Sequence, residues 1–328
     1  MANTRPLIAL EEHFISEAAR AWGIDNDSLG FIKRFPPPIA SKLSDLNDIR
    51  LQDMEAGAVS LQVVSHGPTN GSAPIDICRQ ANDELHKAVQ TSEGRLAGFA
   101  MIPMNEPAAA AEELERCVET LGFVGTLVNN HEKGRFYDDA FFWPVLAQCQ
   151  VLDVPIYLHP TVPGSSVAKG SGNYPDIVAQ GLDTYCWGWH SETGLHILRL
   201  FASGLFDEYP RLKIIIGHMG EMLPFMLDRI IRFARKQWPE RQRDLQTVWD
   251  ENIHITTAGM FSVAPMACLL RVCKIEHILY SVDYPFASNE EGKEFMHELS
   301  LSGLCSEEEM DMVAFGNAEA LLGVRALR

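Results

Sequence analysis

The 328-residue chain is short of positive charge. It has 27 Lys and Arg against 44 Asp and Glu, a formal net charge of −17. An unpatched acidic surface repels phosphate, which excludes nucleic acid and anionic membrane as partners. An acidic small molecule is admitted only where its pocket is locally positive, and a bound metal ion would supply that. Also missing is any apolar run near the ~18 residues of a membrane span. MANTRPLIAL leads straight into acidic residues, with no signal-peptide pattern, so a cytoplasmic protein is expected. The seven cysteines (78, 117, 149, 186, 268, 273 and 305) are odd in number and include no CxxC pair. They read as reduced, packed thiols and exclude a disulfide framework, Cys186 alone lying in a loop-like segment. No G-x-G-x-x-G follows the first apolar segment, and a dinucleotide-binding reading loses its main support. No repeat or low-complexity tail is present.

What is there is alternation. With 46% hydrophobic and 22% charged residues the composition is that of a globular α/β protein. Eight short, Val/Ile/Leu-rich segments read as strands buried on both faces: Pro6–Leu10, Ala58–Val64, Ala97–Ile102, Gly125–Val128, Pro155–Leu158, Lys213–Ile216, Ile253–Thr256 and Ile278–Ser281. Helical stretches separate them, among them Asp76–Thr91, Ala108–Leu121, Trp143–Leu152, Leu195–Ser203 and Pro224–Lys236. Eight such units in this length predict a TIM (β/α)8 barrel, a single domain over 1–328 with insertions at about 15–45 and 160–192. The first insertion is expected to end in a stiff Pro36-Pro37-Pro38, the second to form a lid or wall.

In such barrels chemistry gathers at the C-terminal strand ends. Here those ends carry Glu11-Glu12-His13, His159, His218 and Asp283. Strand alternation predicts that Glu11 and His13 point inward and Glu12 outward. Glu11, His13, His159 and Asp283 together form a candidate metal site suited to Zn²⁺, or to Mn²⁺ or Mg²⁺ as oxygen ligands dominate. Taken singly each has a plainer use: a strand-end histidine as a structural hydrogen-bonder, Asp283 as a turn cap. GHMGE (217–221) places Glu221 where a helix dipole would favour it and where it can orient His218 as a general acid/base. Asn129 ends strand four, His66 follows strand two, and Trp187 and Trp189 could stack on a ring. Arg229, two turns into the following helix, could bind a carboxylate or hold a subunit contact.

IALEEHF, YLHP (157–160), IIGHMGE (215–221), SVDYPF (281–286) and GNAEALL (316–322) together resemble the metal-dependent aromatic acid decarboxylases of the amidohydrolase superfamily, the γ-resorcylate (2,6-dihydroxybenzoate) and 2,3-dihydroxybenzoate types above all. The resemblance implies nonoxidative, reversible decarboxylation of an ortho-hydroxy aromatic acid, by protonation of the ring carbon and then loss of CO2. It implies one divalent metal ion (zinc first, manganese or magnesium as alternatives), no organic cofactor, and a homodimer or homotetramer. Carried over residue by residue, Glu11, His13, His159 and Asp283 bind the metal, and Asp283, His218 and Glu221 are catalytic. Asn129, Arg229, Trp189 and Phe286 are the candidate substrate contacts. HPTVPG after strand five and YCWGWHSETGLH depart from the γ-resorcylate pattern on the substrate side. The competing readings are a metallohydrolase of the same barrel and a noncatalytic binding protein. Two-metal hydrolases of this kind typically begin with H-x-H and bridge with a carboxylated lysine at the fourth strand, where this chain has Glu11 and Asn129-Asn130, with Lys133 past the strand end.

Overall fold

Short β-branched runs form the strands of the computed structural model, which describes residues 5–26, 36–67, 69, 71–161 and 173–327. Among these, eight strands run in parallel: β1 (Leu7–Phe14), β2 (Val59–His66), β3 (Leu96–Gly98), β4 (Thr126–Asn129), β5 (Ile156–His159), β6 (Ile214–Ile216), β7 (Ile253–Thr256) and β8 (Ile278–Leu279). They hydrogen-bond as β1-β2-β3 and β4-β5-β6-β7-β8. Single parallel bridges join the two sheets, Ala100 to Thr126 and Glu12 to Tyr284. The result is the expected TIM barrel.

Side-chain alternation divides the core in two. Ile8, Leu10, Leu61, Val63, Leu127, Tyr157, Ile215 and Leu279 pack inside the barrel, with Ala318 and Leu322 of the last helix against them. Leu7, Ala9, Val64, Leu158, Ile214 and Ile216 face outward into the shell of helices. Buried on both sides, these strands cannot alternate apolar with polar, which is why they read as continuous apolar runs.

Several boundaries differ from expectation for identifiable reasons. β1 extends to Phe14, so the polar letters lie within the strand. The prolines of the first insertion open a helix: Pro36 caps Pro37–Leu43, and a proline at the first helical turn costs no hydrogen bond. Another helix, Glu17–Asn26, fills the start of that insertion. The second insertion is largely helical where it is described, with Asp176–Asp183 and Gly188–Ser203; its Pro/Gly/Ser-rich centre, 162–172, lies outside the described residues. All seven cysteines are free thiols, and Cys186 is exposed. No described helix is long and apolar enough to cross a membrane.

Candidate active site

The inward turn of Glu11 and His13 depends on a β-bulge. Ile8 and Leu10 face the interior, so strict alternation would send Glu12 in and Glu11 and His13 out. Between Ala9 and Glu12, β1 advances three residues while β2 advances two, from Gln62 to Val64. The extra residue switches the phase, a common use of bulges beside active sites. Ser281 Oγ takes over the backbone bonding at the irregularity, accepting from Leu10 N (3.0 Å) and Glu11 N (2.7 Å).

Glu12 is thereby turned outward and staples the barrel shut. Its carboxylate accepts from Ser281 Oγ, Val282 N and Tyr284 N at 3.0–3.2 Å. Burial pushes its carboxyl up to about 8 in spite of these donors. Arg50, fully buried, donates to His13 O and to Gln62 Oε1.

At the C-terminal mouth Glu11, His13, His159 and Asp283 bring one ligand-type atom each to within 4.8 Å of one another. His159 Nε2 is 3.1 Å from Glu11 Oε1, and His13 Nε2 is 3.4 Å from Asp283 Oδ1. Second nitrogens and oxygens are tied elsewhere: His13 Nδ1 to Ser65 Oγ (3.2 Å), His159 Nδ1 to Pro160 O (2.6 Å), and Glu11 Oε2 to the Tyr157 hydroxyl. Yet Glu11 Oε1, His13 Nε2 and Asp283 Oδ1 are buried with no hydrogen-bond partner. Unsatisfied buried polar atoms are costly, and convergent ones with oriented second atoms fit a cation. Burial acts to raise Glu11, but the charges of His218, His159 and His13 overcome it and hold the carboxyl well below its usual range. His13 is pushed down, chiefly by burial.

A second group lies alongside. Glu221 accepts from His218 Nδ1 at Oε1 (2.8 Å) and from His190 Nδ1 at Oε2 (2.7 Å). The two imidazoles meet edge-on, their centres 4.6 Å apart. Burial works against charge on His218, but the carboxylates of Glu221 and Glu11 outweigh it and raise the imidazole to about 10. Glu221 does not open a regular helix as anticipated. His218, Met219, Gly220, Glu221 and Met222 all have positive φ, and the helix starts after them at Leu223. For non-glycine residues this left-handed turn costs roughly 1–2 kcal/mol each, strain of a kind that gathers at functional sites.

Two glycines open space between these groups. A Cβ on Gly259 would lie 3.4 Å from both Asp283 Oδ2 and His218 Cδ2, so Asp283 and His218 flank one gap. A Cβ on Gly217 would stand 2.7 Å from Glu11 Oε2. Phe286 borders the site, its ring 5.8 Å from that of His13.

The remaining candidates are elsewhere. Asn129 donates to Thr69 O (2.8 Å) and, with His66 and Tyr137, lines a small cavity of about 30 Å³. Arg229 is exposed and stacks on Phe233 at 4.9 Å. Trp189 packs against Tyr185, and Trp187 is exposed. Lys133 lies against Gly71. The sequence offers no specific role for His190, and Tyr157 enters it as a strand residue and as the first letter of the YLHP motif. A histidine beside a departure from the γ-resorcylate pattern was the available signal for the first. For the second there was only a tyrosine two residues before His159 on the inward face.

The amidohydrolase family profile matches residues 34–324. "Decarboxylase orsB" of Emericella nidulans is 48% identical over 326 residues, 98% of each chain. The γ-resorcylate decarboxylase of Polaromonas sp. strain JS666 is 35% identical, over 96% of this chain and 97% of its own. A crystal structure of dihydroxybenzoic acid decarboxylase from that organism, with bound manganese and the inhibitor 2-nitroresorcinol, superposes with a TM-score of 0.82 at 33% identity, covering 98% of this chain and 97% of that one.

Proposed function

Because the chain belongs to the amidohydrolase family and is a carboxy-lyase within it, we propose that it removes CO2 without oxidation from an ortho-hydroxy aromatic acid. Salicylate and the 2,3- and 2,6-dihydroxybenzoates define the substrate class. The single observation that carries this reading is the convergence of Glu11 Oε1, His13 Nε2 and Asp283 Oδ1, buried and outside any hydrogen bond, beside His159. Those four residues would hold one divalent cation. Bound there, it supplies a positive template for the acid's carboxylate and ortho oxygen. Zn²⁺ suits the two imidazoles; the manganese in the Polaromonas structure supports Mn²⁺ equally well. Two carboxylates among the ligands already neutralise a divalent ion, which weakens activation of water and disfavours hydrolysis.

The protein's own groups then divide the proton work. Asp283, flanking the gap above Gly259 and ionised in the resting site, takes up a proton as the aromatic acid binds and then donates it to the ring carbon that bears the carboxylate. Its carboxyl O–H bond breaks as the ring C–H bond forms. The bond to the carboxylate then breaks, its electron pair restores the aromatic ring, and CO2 departs. Asp283 is left ionised, as in the resting site. His218, anchored at Nδ1 by Glu221, turns Nε2 toward the same gap and grips the departing carboxylate or the phenol. Phe286 provides an apolar wall for the ring, while Asn129, Trp189 and Arg229 would act only from outside the two groups. Arg229 lies near exposed Phe225, Met226 and Phe233 on one helix, which supports a homo-oligomer through that face. The reverse carboxylation follows from microscopic reversibility.

The test is direct. Protein loaded with Mn²⁺ is incubated with salicylate, 2,3- and 2,6-dihydroxybenzoate and 6-methylsalicylate, and CO2 is measured. Release from at least one acid is expected. Silence on all four, with cleavage of a lactone or amide, would overturn the reading.

A further inference from the structure

We infer that Tyr157 is a positioning residue for Glu11: its hydroxyl occupies one carboxylate oxygen so that only the other, Oε1, is presented to a cation. This rests on the metal reading above and concerns how one ligand is aimed.

The geometry runs across the interior of the barrel. Tyr157 stands on β5 two residues before His159, so both side chains point inward, Tyr157 one layer deeper. Its hydroxyl hydrogen-bonds Glu11 Oε2 from β1 and lies 2.8 Å from Thr256 Oγ1 on β7. Only one direction satisfies all three groups. The ionised carboxylate has no proton, so the phenol must donate to it. The phenol oxygen then accepts from the Thr256 hydroxyl. The chain Thr256 → Tyr157 → Glu11 is therefore polarised toward the site, and all three residues are fully buried.

Room for this contact is left by Gly217, just past β6. A Cβ there would come within 2.7 Å of Glu11 Oε2 and 3.1 Å of the Tyr157 hydroxyl. A side chain at 217 would force the Glu11 carboxylate to shift. The two oxygens of Glu11 thus have opposite fates. Oε2 is engaged from below, whereas Oε1 is buried, lacks a hydrogen-bond partner and faces His159 Nε2. A carboxylate so held offers a single oxygen, with its rotation fixed and part of its charge shared with the phenol. β5 would then contribute to the site twice, through the ligand His159 and through the support for Glu11.

Partners that hold ligands typically change metal affinity by about 10- to 100-fold when removed. The experiment measures Mn²⁺ binding by the electron paramagnetic resonance signal of the free ion, together with the thermal midpoint of the metal-free protein. Tyr157→Phe is expected to weaken Mn²⁺ by about 10- to 100-fold, with stoichiometry and the metal-free midpoint essentially held. Thr256→Val, which leaves the phenol in place but removes its donor, is expected to weaken it several-fold and carries the test if Tyr157→Phe does not fold. Unchanged affinity in the folded variants, or a loss no greater than the fall in metal-free folded fraction, would overturn the assignment. A wild-type chain that binds no Mn²⁺ would overturn it together with the metal site. Wild-type binding without decarboxylation would remove the proposed reaction and leave the role of Tyr157 standing.

Discussion

Two groups of histidine and carboxylate share the barrel mouth, and they differ in what their buried atoms do. Around Glu221 each carboxylate oxygen has its own imidazole N–H, at 2.7 and 2.8 Å. Around Glu11, three polar atoms converge without a hydrogen-bond partner while the second atoms of Glu11, His13 and His159 are tied down. Residue types are nearly the same in both, so composition does not separate a cation site from a hydrogen-bonded acid/base group. Satisfaction does. The first group is satisfied as it stands; the proposed cation would satisfy the second.

This contrast can be broken at several points. The largest effect is expected from the ligand group. Dialysis against a chelator should abolish CO2 release and added Mn²⁺ should restore it. Asp283→Asn should lower kcat by at least ~10³-fold, within the range for a lost general acid, and leave part of the metal bound. Substantial turnover in that variant would remove Asp283 as the donor. Glu221→Gln comes next, with a fall in kcat of roughly 10²- to 10³-fold and metal content unchanged by elemental analysis. His190→Ala removes one of the two donors to Glu221 but leaves His218 in place. About a tenfold loss is expected, typical of a supporting partner, again without loss of metal.

The smallest effect lies outside both groups and sharpens the contrast from another side. His66, His196 and His254 are buried without a carboxylate partner, and burial pushes them down to about 4, 3 and 3. They stay neutral in the fold but bind a proton near pH 6.5 once unfolded. The unfolded state therefore takes up more protons below that pH, and stability falls as pH drops from 6.5 toward those values. Each contributes a slope of about 1.4 kcal/mol per pH unit in that window. Urea unfolding of His254→Asn at pH 7, 6 and 5 should show the slope reduced by about that amount. An unaltered slope would mean that His254 titrates normally in the fold.

Much of this was legible in the sequence, for a physical reason. Strands buried on both faces must be apolar, so a glutamate or histidine closing such a run stands out; Glu11, His13, His159, His218 and Asp283 were visible on that basis. The route by which Glu11 and His13 turn inward was not. Simple alternation counted from Ile8 and Leu10 gives the opposite answer, and the bulge that corrects it is completed by Ser281, some 270 positions away. His190 was hidden because its partner Glu221 lies 31 positions away, on a left-handed turn that residue types alone do not announce. Tyr157 stood out only as part of the YLHP motif, and its contact with Glu11 was not legible because that partner lies across the barrel. Arg229 matched a family position but stands exposed on its helix, apart from both groups.

The division of labour between the two groups is tested most directly by metal content. Wild type, His13→Ala and Glu221→Gln would be loaded with Mn²⁺, freed of excess ion and analysed, with far-UV circular dichroism to confirm the fold. About one equivalent is predicted for wild type and Glu221→Gln, and little or none for His13→Ala, since a ligand lost from a four-residue site leaves it incomplete. Equal loss from both variants, or full metal in His13→Ala, would contradict the account.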